Sequence, residues 1–227
     1  IKMCGIIGIS AENNVVEEIY ESLLMLQHRG QDAAGMVVCE PSGKLNSRKS
    51  KGYVRDVFQQ NHMSNLQGNL GIGHVRYPTA GGIGKEFAQP MYVNTPYGIS
   101  LAHNGNLTNS KKLAAELFHA ERRHINTDSD SEVLLNIFAL ELSKQEAVFP
   151  KPKDFFAAVE KTHLRINGAY AVVALITGYG IVAFRDPLGI RPLTIGGRKG
   201  KNRNEYVVSS ETALFSATGF KVLRDVE

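Results

Sequence analysis

The amino-acid sequence predicts an α+β fold in which mostly antiparallel sheets pack under helices. Strand-like runs occupy both ends of the 227-residue chain, and amphipathic helices cluster between them. Glycine, proline and asparagine separate neighbouring strand-like runs, as they do in hairpins. A hydrophobic content of 43% can fill a substantial core, and no repeat or low-complexity linker divides the chain. We therefore expect one domain.

The first half of the chain is predicted to be mostly strands around one helix. The run CGIIGIS near the N-terminus indicates a strand, after which Asn13 or Asn14 can cap a helix. The apolar residues of this helix recur every three or four positions, at Val16, Ile19, Leu23 and Leu26. Three β-rich runs follow, namely AAGMVVCE, GNLGIGHVRY and YGISLAHNGNL.

The hydrophobic pattern then takes a helical period, which predicts three helices. They are NSKKLAAELFHAERR, SDSEVLLNIFALELSK and KDFFAAVEKTHLRI. The second opens on serines and acids that suit a helix N-terminus. Strands return in AYAVVALITGYGIVAFRD, where TGYG indicates a turn, and further strands are expected at 191–197, 204–210 and 221–226.

Composition excludes several classes of protein. The net charge is only +4, and the basic stretches KLNSRKSKGYVR at 44–55 and GGRKGKNRNE are predicted to be solvated hairpin turns. Neither has the aromatic residues interleaved with basic ones, or the motif, that a nucleic-acid site would have. Cys4 and Cys39 are too few for a disulfide framework, and no paired Cys/His spacing indicates zinc. With no signal sequence and no apolar run of membrane-spanning length, we expect a soluble, cytoplasmic protein that contacts neither membrane nor nucleic acid.

Cys4 raises the question of an N-terminal nucleophile. If Met3 is the initiator, removing residues 1–3 leaves Cys4 with a thiol and a free α-amine, the minimum that such a nucleophile needs. As written, Cys4 is internal, and the first ten residues alone favour a small buried residue near a chain end. Residues 1–3 are interpreted as a short leader or as residues foreign to the native protein.

Four motifs follow the N-terminal CGI in order: LQHRGQDAAG, GHVRYPTAGG, AHNGNL and TDSDSEVLL. Together they resemble the class II glutamine amidotransferase domain of the N-terminal nucleophile hydrolase superfamily, over residues 4–227. The resemblance implies a four-layer αββα sandwich with the nucleophile at the end of a central strand. It also implies that L-glutamine is the substrate and that this domain needs no cofactor or metal.

Two further motifs, FRDPLGIRPL and SSETALF, narrow the resemblance to one branch of that family. In this branch a C-terminal phosphoribosyltransferase domain follows the glutaminase domain, and the whole enzyme begins purine synthesis. The resemblance implies that second domain as a partner, a homo-oligomer at full length, and Mg²⁺ in the second domain only. No apolar strand ending in paired acids and a Gly/Thr-rich turn occurs in residues 1–227, so we expect the phosphoribosyltransferase domain to be absent from this chain.

The resemblance also assigns catalytic roles. Cys4 would attack the glutamine side-chain amide, with its own α-amine as general base and later as general acid. The Asn104 side-chain amide and the Gly105 backbone N–H would form the oxyanion hole. From the residues alone, Asn104-Gly105 between apolar runs is a strong signal for a hairpin turn, and we expect it to serve both purposes.

The same resemblance assigns substrate-binding residues. Arg76 would clamp the α-carboxylate with its planar fork, Asp130 would receive the α-ammonium group, and Arg29 and Gly30 would line the pocket through backbone groups. The segment 77–87 would close over the substrate. Without the resemblance, the residues favour a surface arginine, a helix cap at Asp130 and an ordinary flexible loop.

Three histidines, His28, His74 and His103, are predicted to be structural, because the chemistry needs no second base. Within the enzyme class, the alternatives are the glutaminase domains of asparagine synthetase, glucosamine-6-phosphate synthase or glutamate synthase, which HRGQDAAG and DPLGIRPL argue against. The alternative from another class is a non-catalytic glutamine-binding or regulatory module with a blocked N-terminus and an inert Cys4.

Overall fold

The computed structural model describes residues 3–77, 84–145, 147 and 149–227. It has the α+β architecture that the sequence predicts, and its recorded strand pairings are antiparallel. The helices are α1 (Val16–Leu26), α2 (Val54–Val57), α3 (Gln60–Met63), α4 (Ser110–His119), α5 (Asp130–Ser143), α6 (Pro152–Arg165) and α7 (Ala213–Ala217), with a 3-10 helix at Lys85–Phe87. The strands are β1 (Gly5–Ser10), β2 (Ala33–Cys39), β3 (Leu45–Lys51), β4 (Leu70–Arg76), β5 (Met91–Val93), β6 (Ile99–Leu107), β7 (Gly168–Ile176), β8 (Gly180–Arg185), β9 (Thr194–Lys199), β10 (Asn204–Ser209) and β11 (Lys221–Asp225).

The larger sheet, sheet A, joins strands from both ends of the chain. Its seven strands run in the order β11-β9-β10-β1-β4-β2-β3. β1 therefore lies at the centre, hydrogen-bonded to β10 on one side and to β4 on the other. Its sequence GIIGIS is apolar on both faces because both faces are covered by other layers.

The smaller sheet, sheet B, has the strand order β5-β6-β7-β8. β6 and β7 pair along their whole length, from Ile99 opposite Ile176 to Leu107 opposite Gly168. β5 is short and pairs only with Ile99–Leu101 of β6. Among the described residues, the second half of β6 thus has a neighbouring strand on one side only, and loops and side chains bond to its other edge.

Three apolar cores separate four layers. Ile7 belongs to the core between α1 and sheet A. Ile6, on the opposite face of β1, belongs with Val173 to the core between the two sheets. Leu101 and Phe138 belong to the core between sheet B and helices α4, α5 and α6. This arrangement confirms the predicted αββα sandwich, with Cys4 directly before the central strand of sheet A.

Two local predictions in the first half of the chain are wrong. The basic stretch 44–55 is not a hairpin turn, because Leu45–Lys51 form β3 at the edge of sheet A. The charged side chains of Arg48, Lys49 and Lys51 suit an edge strand, since charge discourages pairing with other chains. Neither Asn13 nor Asn14 caps α1; Val15 is the N-cap residue, and Asn14 Oδ1 instead accepts the Gly68 N–H at 3.1 Å.

The Asn104-Gly105 pair does not form a hairpin turn either. Both residues lie inside β6, where they face Ala171 and Tyr170 of β7. The predicted turn fails because the strand continues to Leu107, and the chain reverses only beyond it. Within the described residues, none of the helices is long and apolar enough to cross a membrane.

Candidate active site

Side-chain alternation places three predicted site residues between the two sheets. Along a strand, residues two or four positions apart point to the same face. The middle core contains Ile6 of β1, Ile72 of β4 and Ala102 of β6. Cys4, Arg76 and Asn104 lie two or four positions from these residues on the same strands, or directly before them. They therefore converge at one end of the middle layer.

His74 ties the two sheets together at this end. It lies on β4 two residues before Arg76, and its Nε2 is 3.2 Å from the carbonyl oxygen of His103 on β6. Both imidazoles are buried. The hydrogen bond links the two sheets next to Asn104, which gives His74 a structural role.

Cys4 is almost fully buried, with 8% of its surface exposed. The Tyr77 backbone N–H donates to Cys4 Sγ at 3.4 Å, and the Tyr77 carbonyl oxygen lies 3.8 Å from the same sulfur. Burial raises the pKa of the Cys4 thiol, although the Tyr77 N–H and the charge of Arg76 act in the opposite direction. The thiol is therefore protonated near neutral pH, and it needs a base before it can act as a nucleophile.

Arg29 holds the backbone of the nucleophile with its side chain. Its Nε donates to the Cys4 carbonyl oxygen at 2.9 Å, and its Nη1 pairs with Glu211 Oε1 at 2.6 Å. These contacts come from the Arg29 side chain, and a contact of its backbone with the substrate stays a prediction. Glu211, which also lies 3.0 Å from His28 Nε2, was not assigned from the sequence, although the motif SSETALF contains it.

Gly30 lets the segment after α1 approach the end of β4. A Cβ atom on Gly30 would lie 2.5 Å from the Arg76 carbonyl carbon and 2.8 Å from the Tyr77 nitrogen. Contacts this short are not tolerated by backbone atoms, so any side chain here would push away the segment that bonds to Cys4. Gly30 thus shapes the site through the absence of a side chain.

Arg76 is buried and already oriented. Its Nη1 lies 2.5 Å from Asp32 Oδ2, and its guanidinium carbon is 5.2 Å from the centroid of the Phe87 ring. The carboxylate and the ring hold the planar fork in one orientation. Asp32 was not assigned from the sequence, and only its place in HRGQDAAG, next to the predicted pocket residues, could have indicated it.

Asn104 has an unused hydrogen-bond donor. The residue is 1% exposed, and within the described part of the chain its Nδ2 has no hydrogen-bond partner. Burying an amide without a partner costs about 1–3 kcal/mol, so such groups usually have a use. An oxyanion formed on a bound substrate would provide the missing acceptor.

The Gly105 N–H lies on the open edge of β6. Tyr170, which faces Gly105 on β7, directs its own N–H and carbonyl oxygen to Asp186 and away from Gly105. The backbone groups of Gly105 therefore point away from β7, as those of His103 and Leu107 do. The His103 N–H bonds to Gln89, and the Leu107 N–H bonds to Asp130. The Gly105 N–H therefore lies between these two hydrogen bonds.

Gly105 must be glycine for a packing reason as well. A Cβ atom would lie 2.1 Å from the Ala169 carbonyl oxygen and 2.7 Å from the Tyr170 Cα. Both are backbone atoms of β7 that cannot move without breaking the sheet. The close approach of β6 and β7 thus adds a structural requirement to the one implied by the oxyanion hole.

Asp130 is the first residue of α5 and does not cap it. Ser129 is the N-cap residue, and its side chain accepts the Ser131 N–H. Asp130 Oδ2 instead accepts the Leu107 N–H at 2.9 Å, on the open edge of β6. Its negative charge contributes to the raised pKa of the Cys4 thiol.

The predicted substrate-covering segment 77–87 is only partly described. Residues 78–83 lie outside the described residues, whereas Tyr77 contacts Cys4 and Phe87 lies against Arg76. Within the described ranges, no group of three or more His, Cys, Asp or Glu side chains could hold a metal ion. Both cysteines are free.

The burial of His74 predicts a pH-dependent stability. Burial, opposed by the hydrogen bond to His103, lowers the pKa of His74 to about 3. Between that value and the ordinary pKa of about 6.5, the unfolded chain binds a proton that the folded chain does not, so this contribution to stability is present above pH 6.5 and is lost as the pH falls. We expect a slope near 1.4 kcal/mol per pH unit in this window from His74.

The measurement is the free energy of unfolding in urea at several pH values from 4.5 to 7. His74→Gln keeps a donor near the position of Nε2 but cannot titrate. The slope of its free energy of unfolding against pH should therefore be lower by about 1.4 kcal/mol per pH unit, the contribution of one proton. An equal slope in the parent and in His74→Gln would show that His74 is not buried in its neutral form.

Comparisons with known proteins come from one family model, from curated sequences and from solved structures. A family model described as a glutamine amidotransferase domain matches residues 83–217. Proteins named amidophosphoribosyltransferase are similar to this chain: the one from Pseudomonas aeruginosa is 56% identical over 224 residues and the one from Escherichia coli 55% over 225. Each match covers 99% of this chain, but 44% of the first relative and 45% of the second.

Among solved structures, the glutamine phosphoribosylpyrophosphate amidotransferase from B. subtilis, complexed with ADP and GMP, has a TM-score of 0.81 at 34% identity. The match covers 99% of this chain and 45% of that one. This chain therefore spans somewhat less than half the length of these three relatives.

Proposed function

This chain belongs to the family of glutamine amidotransferase domains, and from that premise we propose that it hydrolyses the side-chain amide of L-glutamine to glutamate and ammonia. The observation that carries the proposal is the convergence of a buried thiol, a buried guanidinium and an unused amide donor at one end of the middle layer. These groups are Cys4, Arg76 and Asn104. A nucleophile, a carboxylate clamp and an oxyanion donor are what hydrolysis of an amino-acid amide requires.

In the first step, the thiol of Cys4 gives its proton to the α-amine of the same residue, after residues 1–3 have been removed. The thiolate attacks the side-chain carbonyl carbon of glutamine, and the carbonyl electron pair moves to the oxygen. The Asn104 side-chain amide and the Gly105 N–H donate to that oxygen. Arg29 keeps Cys4 in place through the carbonyl oxygen, 2.9 Å from Nε.

In the second step, the tetrahedral intermediate collapses. The C–N bond breaks, the Cys4 ammonium group protonates the leaving nitrogen, and ammonia departs. The remaining γ-glutamyl thioester is attacked by water, which the same amine deprotonates. The C–S bond then breaks, glutamate leaves, and the thiol recovers its proton.

The two ends of the amino-acid head group meet opposite charges. Arg76 offers a rigid fork to the α-carboxylate, because Asp32 and Phe87 hold it on two sides. Asp130 offers a carboxylate to the α-ammonium group. The pair would select free amino acids over peptides and over simple amides.

Arg76→Lys is expected to raise KM for glutamine by roughly 10- to 100-fold, with a smaller effect on kcat. An ammonium is a point charge that cannot make two parallel hydrogen bonds to a carboxylate, and the lost bond is worth about 1.5–3 kcal/mol. Steady-state kinetics with glutamine would measure both constants. Equal kinetics in the parent and in Arg76→Lys would exclude the bidentate contact.

For the complete protein we propose a larger reaction, on the basis of its relatives' names and of its coverage of them. The ammonia would pass to phosphoribosyl pyrophosphate in a C-terminal phosphoribosyltransferase domain, in the cytoplasm, as the first step of purine synthesis. Mg²⁺ would bind in that second domain and none here. The full-length protein would be a homo-oligomer.

The direct test is release of glutamate from glutamine by protein whose N-terminus is confirmed by mass to be Cys4. Asparagine is the control substrate, because its amide lies one methylene closer to the same head group. Hydrolysis of glutamine but not of asparagine supports the proposal. Binding of glutamine without hydrolysis would instead indicate a non-catalytic binding module.

A further inference from the structure

A buried polar cluster lies beside the site without a part in the mechanism above. It consists of Gln89, His103 and Ser131, of which the most exposed, Gln89, is 5% exposed. Ser131 Oγ is 2.9 Å from Gln89 Nε2 and 2.9 Å from His103 Nδ1. Gln89 Oε1 in turn accepts the His103 backbone N–H at 2.7 Å. We call these three residues the relay.

One arrangement of the hydrogen atoms satisfies Gln89 and Ser131, and it leaves His103 Nε2 without a hydrogen-bond partner among the described residues. A serine oxygen can accept two hydrogen bonds and donate one, and Gln89 Nε2 can only donate to it. If His103 also donates to it from Nδ1, Ser131 keeps its own hydrogen for Asp130 Oδ1, 3.5 Å away. Burial lowers the pKa of His103, so the ring is neutral and carries one N–H.

The relay contacts one carboxylate oxygen of Asp130, and the Leu107 N–H bonds to the other. Oδ2 of Asp130 accepts the Leu107 N–H, whereas Oδ1 faces Ser131 and lies 3.9 Å from His103 Nδ1. Both carboxylate oxygens are thus held, and a carboxylate has enough lone pairs to bind a further donor. A carboxylate fixed in this way is suited to select a cation at one position.

We propose that Ser131, supported by Gln89 and His103, is a positioning residue that orients Asp130 toward the α-ammonium group of the substrate. The inference rests on the proposed function, because it deepens the role given there to Asp130. The relay thus sets the preference for amides that carry an α-amino group.

The test compares two ligands by calorimetry in Cys4→Ala protein, which cannot turn either of them over. The ligands are L-glutamine and 5-amino-5-oxopentanoate, which is glutamine without its α-amino group. Ser131→Ala should weaken binding of glutamine by roughly 10-fold and of the analogue by less than about 2-fold. Ser131→Thr keeps the hydroxyl and should retain most of the preference.

Ser100→Ala is the matched control. Ser100 lies on β6, is 1% exposed, and has an Oγ without a hydrogen-bond partner among the described residues. Ser100→Ala removes the same atom as Ser131→Ala but should weaken the binding of neither ligand. A general structural effect of Ser131→Ala would instead weaken both ligands equally.

Equal losses for both ligands, or no loss for either, would overturn the inference, and so would a parent protein that binds the two ligands equally. Hydrolysis is measured separately in protein that begins at Cys4. In one outcome the parent binds glutamine preferentially but does not hydrolyse it, and Ser131→Ala abolishes the preference. This result would reject the proposed reaction and still support the positioning role. In the other outcome the parent hydrolyses glutamine, and Ser131→Ala keeps the preference for glutamine unchanged. This result would support the proposed reaction and reject the positioning role.

Discussion

Protein that begins at Cys4 is expected to hydrolyse glutamine, whereas protein that retains Ile1, Lys2 and Met3 is expected to be inactive. Burial raises the pKa of the Cys4 thiol, so the thiol needs a base. The α-amine of Cys4 provides that base only when no residue precedes it, because an amide nitrogen cannot accept the proton. General base catalysis contributes roughly 10²–10⁴-fold, and we expect a loss of at least this size.

The comparison needs preparations whose N-termini are established by intact mass. Cys4→Ser should also abolish turnover, since an alcohol is far harder to deprotonate than a thiol. Cys39→Ser is the matched control, because Cys39 is a second free, buried cysteine at the end of β2 and outside the site. Full activity in protein confirmed to keep residues 1–3 would contradict the role of the α-amine.

Asn104→Ala should lower kcat by roughly 10²–10³-fold, the usual effect of removing one oxyanion donor. KM for glutamine should change much less, because the donor is used only when the carbonyl oxygen becomes charged. The buried Nδ2 of Asn104, which has no hydrogen-bond partner in the part of the chain that the structure describes, is the reason to expect the larger effect on kcat.

Asn106→Ala serves as the control for this variant. Asn106 lies two residues further along the same strand, and its side chain is exposed to solvent. It should leave both constants close to those of the parent. A rise in KM without a fall in kcat in Asn104→Ala would assign Asn104 to binding of the ground state.

The fold was predictable where one pattern dominated. The 3.6-residue period at α6 and the apolar run of β7 were strong enough to predict their type and approximate bounds. β3 was missed because an edge strand rich in lysine and arginine looks like a solvated turn when its partner strand is unknown. The order of strands depends on long-range pairing, such as β1 with β10, that local sequence does not record.

The site shows a similar division. The motifs indicated Cys4 and Arg76, and the topology then brought them together on adjacent strands. The residues that hold them in place were not assigned, since Glu211 and Asp32 act through contacts with arginines distant in sequence. Asn104-Gly105 was wrongly predicted as a turn because the local dipeptide signal ignores the pairing of β6 with β7.

Covalent catalysis by Cys4 is tested most directly by mass spectrometry of an acid-quenched reaction. Protein that begins at Cys4 is mixed with glutamine, quenched during turnover, digested and searched for a glutamyl adduct. We predict the adduct on the peptide that starts with Cys4 and none on the peptide that contains Cys39. Undiminished glutamate formation by Cys4→Ala, with no adduct on Cys4 in the parent, would contradict covalent catalysis by Cys4.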